Sequence, residues 1–264
     1  MSIADKYKGF IIDLDGVMYL DGKLLAHSKS FILKLIKEKK RYVFLTNDSI
    51  LPGKSYSNIL NKLGVPCKND QVITPIKSFE EVIYKFKKKK VKVIAITSKK
   101  IKNYLRDNNK IEVLNPEQNY KNADIVVVAG SKGFNYMDLM YSSLALQNGS
   151  KLYATSIDNT YPTKLGNVPA TGSIIAAIQK ATDSKVENLG KPSRKIFKIA
   201  SDYLGFRKSD ILVIGDNLNT DIYGSSQAGL DSALVLTGKT ELKDVRKSKL
   251  PFRPSYTIKN LRSL

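Results

Sequence analysis

The stretch Gly9-Phe10-Ile11-Ile12-Asp13-Leu14-Asp15-Gly16-Val17 decides how the rest of the chain is read. Its apolar start has the composition of a buried strand, and it ends abruptly in two carboxylates. Open α/β sheets bind ligands at the C-terminal ends of their strands. Carboxylates placed there without compensation are costly, so a cation or a proton is expected beside them. Gly16 permits a sharp exit that brings both side chains to one cavity. Taken alone, Asp-x-Asp-Gly is also the composition of an ordinary turn.

Working outward, short Val- and Ile-rich runs recur at Phe10 to Leu14, Arg41 to Thr46, Val91 to Thr97, Ile125 to Ala129, Ile211 to Gly215 and Ser232 to Leu236, separated by stretches of helical period. Alternation of this kind predicts a parallel sheet covered by helices. Ser28 can cap a helix with Phe31, Ile32, Leu35 and Ile36 on one face. Pro192 and Ser193 open another, with Ile196, Phe197, Ala200 and Leu204 on one face and Gly205 as its stop. The segment from about Phe79 to Ala181 is a self-contained αβ set, with strands near 91–97 and 124–129 and helices near 136–148 and 173–182. We therefore expect a doubly wound, Rossmann-like core from 1–79 and 182–264 with an αβ domain inserted at 80–181.

Composition narrows the chemistry. The chain has 264 residues, 42% hydrophobic and 26% charged, which is the balance of a folded globular protein. One cysteine, Cys67, and one histidine, His27, leave no thiol or imidazole cluster for a transition metal, so any metal must be held by oxygen. The N-terminal apolar stretch is too short for a signal peptide or a membrane span, so a cytoplasmic protein is expected, with no membrane partner. The net charge of +20 would be felt by any acidic partner. Lys87 to Lys90, and Lys37, Lys39, Lys40 and Arg41, fall at the ends of expected helices, where they suit the helix dipole. No nucleic-acid-binding motif accompanies them, so a nucleic-acid partner is not expected despite the charge.

Two further strand ends repeat the theme. Arg41 to Leu45 leads into Thr46-Asn47-Asp48-Ser49, whose hydroxyl and amide groups can bind phosphate oxygens or simply cap the next helix. Ile211 to Gly215 leads into Asp216-Asn217-Leu218-Asn219-Thr220-Asp221, with two more carboxylates past a buried strand. Hard oxygen ligands without histidine favour magnesium, often completed by a substrate phosphate. Gly190-Lys191-Pro192-Ser193 puts a lysine just before a helix, where it can face an anion at the positive end. In so lysine-rich a chain that signal is weak by itself.

The ordered set Asp13-x-Asp15-Gly16, Thr46-Asn47, Gly190-Lys191-Pro192 and Gly215-Asp216-x4-Asp221 resembles the haloacid dehalogenase superfamily, and within it the NagD-like, p-nitrophenyl phosphatase branch. The likeness extends through Leu236-Thr237-Gly238 and Pro251-Phe252-Arg253-Pro254-Ser255-Tyr256. It implies a core with a large inserted cap that closes over the site, and hydrolysis of a small phosphorylated metabolite or p-nitrophenyl phosphate. Asp13 would be the nucleophile, forming an aspartyl phosphate, and Asp15 the general acid and base. Magnesium would be held by Asp13, the Asp15 carbonyl and Asp216, with Asp221 in support. Thr46, Asn47 and Lys191 would bind the phosphoryl oxygens. Asp158, Thr171, Gly172 and Ser173 are candidates for substrate reading in the cap, or for loop and helix capping there. For some members the resemblance also implies a homodimer through the cap. The chain departs from the branch at Asp48, where asparagine is common, and at Ala154-Thr155-Ser156-Ile157-Asp158, which lacks an Asn-Pro pair. A sugar phosphomutase or phosphotransferase on the same scaffold, and a basic nucleic-acid-binding protein with an unused phosphatase fold, are the competing readings.

Overall fold

The computed structural model describes residues 2–163, 165–247 and 251–264. The chain forms two compact units, one of residues 1–46, 53–73 and 191–264, the other of 47–52 and 74–190.

In the first unit six parallel strands run in the spatial order Tyr256–Ile258, Asp231–Val235, Ile211–Gly215, Gly9–Ile12, Arg41–Leu45, Val72–Ile73. The chain enters at Gly9–Ile12, proceeds to one side, and returns on the other beginning with Ile211–Gly215. The order thus reverses between these two adjacent strands, which is the topological switch point of a doubly wound sheet. Alternate residues face opposite layers. Phe10 meets Phe31 of helix Ser28–Lys37 edge-on at 5.9 Å, while Ile11 packs in the cluster of Ile196, Phe197, Ala200 and Leu204 from helix Arg194–Leu204. Both faces are covered, so these strands read as continuous apolar runs rather than alternating ones.

Ser28 is not the cap expected from sequence. It is the first helical residue, preceded by His27 in a left-handed conformation, and its buried hydroxyl donates to the carbonyls of Val17 and Leu25. Ser193 is a cap: its Oγ accepts from the Lys195 amide at 3.4 Å, and Gly205 ends the helix in the left-handed region. Ser193→Ala is expected to cost about 1 kcal/mol, read as a lower urea midpoint at unchanged slope.

The second unit has a five-stranded parallel sheet ordered Val186–Asn188, Lys151–Ala154, Ile125–Ala129, Val91–Thr97, Ile111–Val113. Its two layers are filled by Phe79, Val93, Val127 and Tyr153 on one side and Ile94, Val126, Ile175 and Ile178 on the other. The divisions fall at 73/74 and 190/191 rather than 79/80 and 181/182. Helix Pro75–Lys85 buries Ile76, Phe79, Val82 and Ile83 in this unit's core, and strand Val186–Asn188 pairs with Leu152–Ala154, so both go with the insert. An antiparallel pair, Thr160–Thr163 with Gly166–Pro169, completes it. Among the described residues no helix is long and apolar enough to cross a membrane.

Candidate active site

Asp13 follows the last residue of strand Gly9–Ile12, and its amide donates to the Ile214 carbonyl at 2.9 Å, so it sits level with the end of Ile211–Gly215. The backbone then turns at Gly16, with φ +77°, and the Gly16 amide donates to the Tyr19 carbonyl at 2.8 Å. A side chain would be strained at that φ, and its Cβ would lie 2.3 Å from Asp216 Oδ2. This turn carries Asp15 out to an exposed position between the strand and the short hairpin Tyr19–Leu20 and Lys23–Leu24.

The neighbouring strand supplies Asp216 and, from a π-helical turn Leu218–Ile222, Asp221. Such turns re-aim side chains at functional sites. Asp13, Asp216 and Asp221 each offer a carboxylate oxygen within 4.8 Å of the others, all three buried. Lys191, only 3% exposed, places its Nζ 2.7 Å from Asp13 Oδ1 and 2.6 Å from Asp221 Oδ1. Asp13 Oδ1 also accepts from the Leu14 amide at 2.8 Å. The other oxygen of Asp221 accepts from the Asn217 amide and the Thr220 hydroxyl. With both oxygens engaged by the protein, Asp221 is placed to support the cluster.

Burial, then the charge of Asp221, pushes the Asp13 carboxyl well above the ordinary carboxylate range, against the pull of Lys191. Burial and then Asp221 likewise raise Asp216 to about 6, opposed by the amide of Lys239 and by Lys191. Burial by itself depresses Lys191, but the Asp13 and Asp221 carboxylates overcome it and carry the ammonium above its ordinary value. One ammonium against three carboxylates leaves two buried negative charges when all are ionised. A hard divalent cation matches that deficit and the all-oxygen donor set, so the residues fit a magnesium-class ion.

Thr46, the next expected site residue, follows the adjacent strand Arg41–Leu45, is buried, and donates its amide to the Ile73 carbonyl at 3.2 Å. Asn47 folds with the second unit, where its Nδ2 donates to Asp158 Oδ2 at 3.4 Å. Asp158 is further held by the Ser156 hydroxyl, which donates to Oδ2 at 2.6 Å and accepts from the Asp158 amide at 3.0 Å. Thr171 Oγ1 accepts from the Gly130 amide, and the Ser173 hydroxyl donates to the Asn159 carbonyl. The Gly172 amide donates to the Asp158 carbonyl at 2.8 Å. The Ser173 and Gly172 contacts brace the loop that carries Asp158, and the Thr171 contact ties the start of helix Thr171–Thr182 to the end of strand Ile125–Ala129.

One part of the site was given no role by the sequence, although Leu236-Thr237-Gly238 carried part of the resemblance. The segment 237–240, beyond strand Asp231–Val235, closes on the cluster: the Lys239 amide donates to Asp216 Oδ2 at 2.6 Å and the Thr240 amide to the Asp216 carbonyl at 3.1 Å. A Cβ on Gly238 would lie 2.0 Å from Asp216 Oδ2. Main-chain donors leave no residue-type signature, and only the Thr237-Gly238 pair hints at the close approach.

The family model for haloacid dehalogenase-like hydrolases matches residues 10–110, and a second, HAD-hydrolase-like model matches residues 188–264. A 5'-nucleotidase of Bacillus subtilis is 31% identical over 235 residues, covering 89% of either chain. The crystal structure of a 4-nitrophenylphosphatase from Thermotoga maritima superposes with TM-score 0.89 at 32% identity, over 99% of this chain and 97% of that one. A glycerol phosphate phosphatase from Mycobacterium tuberculosis, solved in complex with magnesium, gives TM-score 0.90 at 27% identity, over 100% of this chain and 78% of that one. The 31% identity to the Bacillus subtilis relative over 89% of either chain, with family models matching both ends of the sequence, shows that this chain belongs to the haloacid dehalogenase-like hydrolase family.

Proposed function

We propose that the protein is a magnesium-dependent phosphatase that transfers the phosphoryl group of a small phosphorylated metabolite to Asp13 and then to water. The observation that carries this reading is the buried Asp13 carboxylate, bound by Lys191 at 2.7 Å and facing Asp216 and Asp221 at the switch point of the sheet. The names of its relatives agree on phosphate-ester hydrolysis and differ in the alcohol released.

The first step forms a bond between an Asp13 carboxylate oxygen and phosphorus as the bond to the leaving oxygen breaks. Asp15, two residues on and exposed, delivers its proton to that oxygen. It then takes a proton from water as the water attacks the aspartyl phosphate, which releases inorganic phosphate and regenerates Asp13. Lys191 and Thr46 steady the phosphoryl oxygens through the charge redistribution. Asp13, the Asp15 carbonyl and Asp216 would hold magnesium with Asp221 in support; when bound, the ion neutralises carboxylate and phosphate charge so that two anions can meet. In the inserted unit Asp158 is our candidate for reading the leaving group, with Gly172 and Ser173 holding its loop, Thr171 anchoring their helix to Gly130, and Asn47 bonding its carboxylate.

The test is release of phosphate from p-nitrophenyl phosphate with and without magnesium, beside thermal melting of the same samples. Turnover only with the ion is expected, with free phosphate equal to nitrophenol. Transfer to an added sugar instead of water would indicate a phosphotransferase. The melt carries a pH signature. Because folding raises Asp216 from its ordinary 3.8 to about 6, the metal-free fold loses stability as pH rises through that window. Magnesium offsets this loss, by RT ln(1 + [Mg]/Kd), and protons compete with it below about pH 6. The magnesium-induced rise in Tm should therefore be large at pH 7.5, small at pH 5, and absent at both in Asp216→Asn. An equal rise at both pH values would sink the metal assignment.

A further inference from the structure

The segment 237–240 touches both halves of the site, and the two contacts do different work. At its far end the Lys239 and Thr240 amides hold Asp216, and the Thr240 hydroxyl accepts from the Leu218 amide at 3.3 Å, fastening the segment to the turn that carries Asp221. At its near end the Thr237 hydroxyl donates to the Gly16 carbonyl at 2.6 Å. Gly16 is the left-handed residue immediately after Asp15, and a Cβ on it would come within 3.0 Å of Gly238 Cα, so the two loops meet glycine to glycine. The hydroxyl of Thr237 is thus a fixed tether on the turn that carries Asp15, whose side chain is exposed.

We propose that Thr237 is a positioning residue for Asp15, setting the geometry of proton delivery to the leaving oxygen, while Gly238 and Lys239 of the same loop set the Asp216 carboxylate. The proposal rests on the phosphatase reading and adds a separable consequence. A leaving group that is stable as an anion needs little help from Asp15, whereas a more basic one departs only as its proton arrives. Loss of the tether should therefore be felt in proportion to leaving-group basicity, which a general loosening of the fold would not produce.

The experiment compares p-nitrophenyl phosphate with phenyl phosphate, whose released oxygen is more basic, in the native chain, Thr237→Val, Thr237→Ser and Gly238→Ala. Valine keeps the volume and removes the hydroxyl. It is expected to lower kcat on phenyl phosphate about tenfold, the scale of one lost hydrogen bond, and on p-nitrophenyl phosphate less than about twofold by the same argument. KM and the magnesium-induced rise in Tm should hold, and serine should restore native rates. Gly238→Ala should instead abolish the magnesium-induced rise and slow both substrates alike, because its Cβ displaces Asp216. Equal losses on both substrates in Thr237→Val, no loss on either, or failure of serine to restore the rate would overturn the proposal while leaving the phosphatase reading intact. A native chain that hydrolyses p-nitrophenyl phosphate but not phenyl phosphate would overturn it too. A native chain that hydrolyses neither would remove both.

Discussion

Asp13→Asn is expected to yield a folded protein whose turnover of p-nitrophenyl phosphate falls by a factor on the order of 10^4 to 10^6, the loss seen when a covalent nucleophile is removed. The amide is nearly isosteric and its oxygen still accepts from the Leu14 amide and from Lys191, so the site keeps its shape. What disappears is the anionic oxygen that attacks phosphorus in the proposed mechanism. Stability should move the other way from activity. The raised Asp13 carboxyl shows that its ionised form is opposed by burial and by Asp221, and a carboxylate raised by folding destabilises the fold above its unfolded value. Neutralising it should leave the metal-free Tm at or above that of the native chain at neutral pH, while shrinking the magnesium-induced rise. Melting curves with and without the ion, alongside steady-state rates, check all three. Turnover within tenfold of native would exclude Asp13 as nucleophile.

Lys191→Met tests the other side of the cluster. At 3% exposure, the lysine is the sole side-chain cation bonded to Asp13 and Asp221 among the described residues, at 2.7 and 2.6 Å. Removing one partner from a buried ion pair costs about 3–5 kcal/mol, because the remaining charge stays buried without compensation. Methionine fills the volume, so the loss should report charge rather than a cavity. The sign of its pH dependence follows from the same groups. Without the ammonium the carboxylates can escape repulsion by binding protons, so the deficit in urea midpoint should be larger at pH 8 than at pH 5 and should shrink when magnesium is added. Activity should fall about 10^2- to 10^3-fold, as for removal of a preorganised donor to the transferring oxygens. A pH-independent loss of stability would point to packing and against the electrostatic role.

The same cluster explains why a candidate site was legible in the sequence at all. Buried carboxylates at strand ends are expensive, so Asp13, Asp216 and Asp221 stand out against the Ile and Val runs that precede them. Lys191 has no such contrast in a chain with 44 lysines and arginines, and spacing alone left it ambiguous. Tertiary structure singles it out by burial, since the other lysines in salt bridges range from 14% to 74% exposed.

What the sequence by itself determined was the doubly wound core, its order of apolar runs, and the carboxylates at two strand ends, because burial on both faces and the cost of a buried charge are written in residue type. The short strands Ile111–Val113, Lys151–Ala154 and Val186–Asn188 were invisible, as segments of three or four residues carry no period of their own and form only against a neighbouring strand. Pairing of Val186–Asn188 moved the insert's second boundary beyond the sequence-based limit, and the buried face of helix Pro75–Lys85 moved its first. Only the folded chain could decide that Ser28 bonds Val17 and Leu25 rather than capping its helix, and that the 237–240 loop grips Asp216 and Gly16. Those bonds join residues up to 221 positions apart, each with a main-chain group that every residue shares at one end, and hydrogen bonds of that kind are specified by position in space, which no local pattern records.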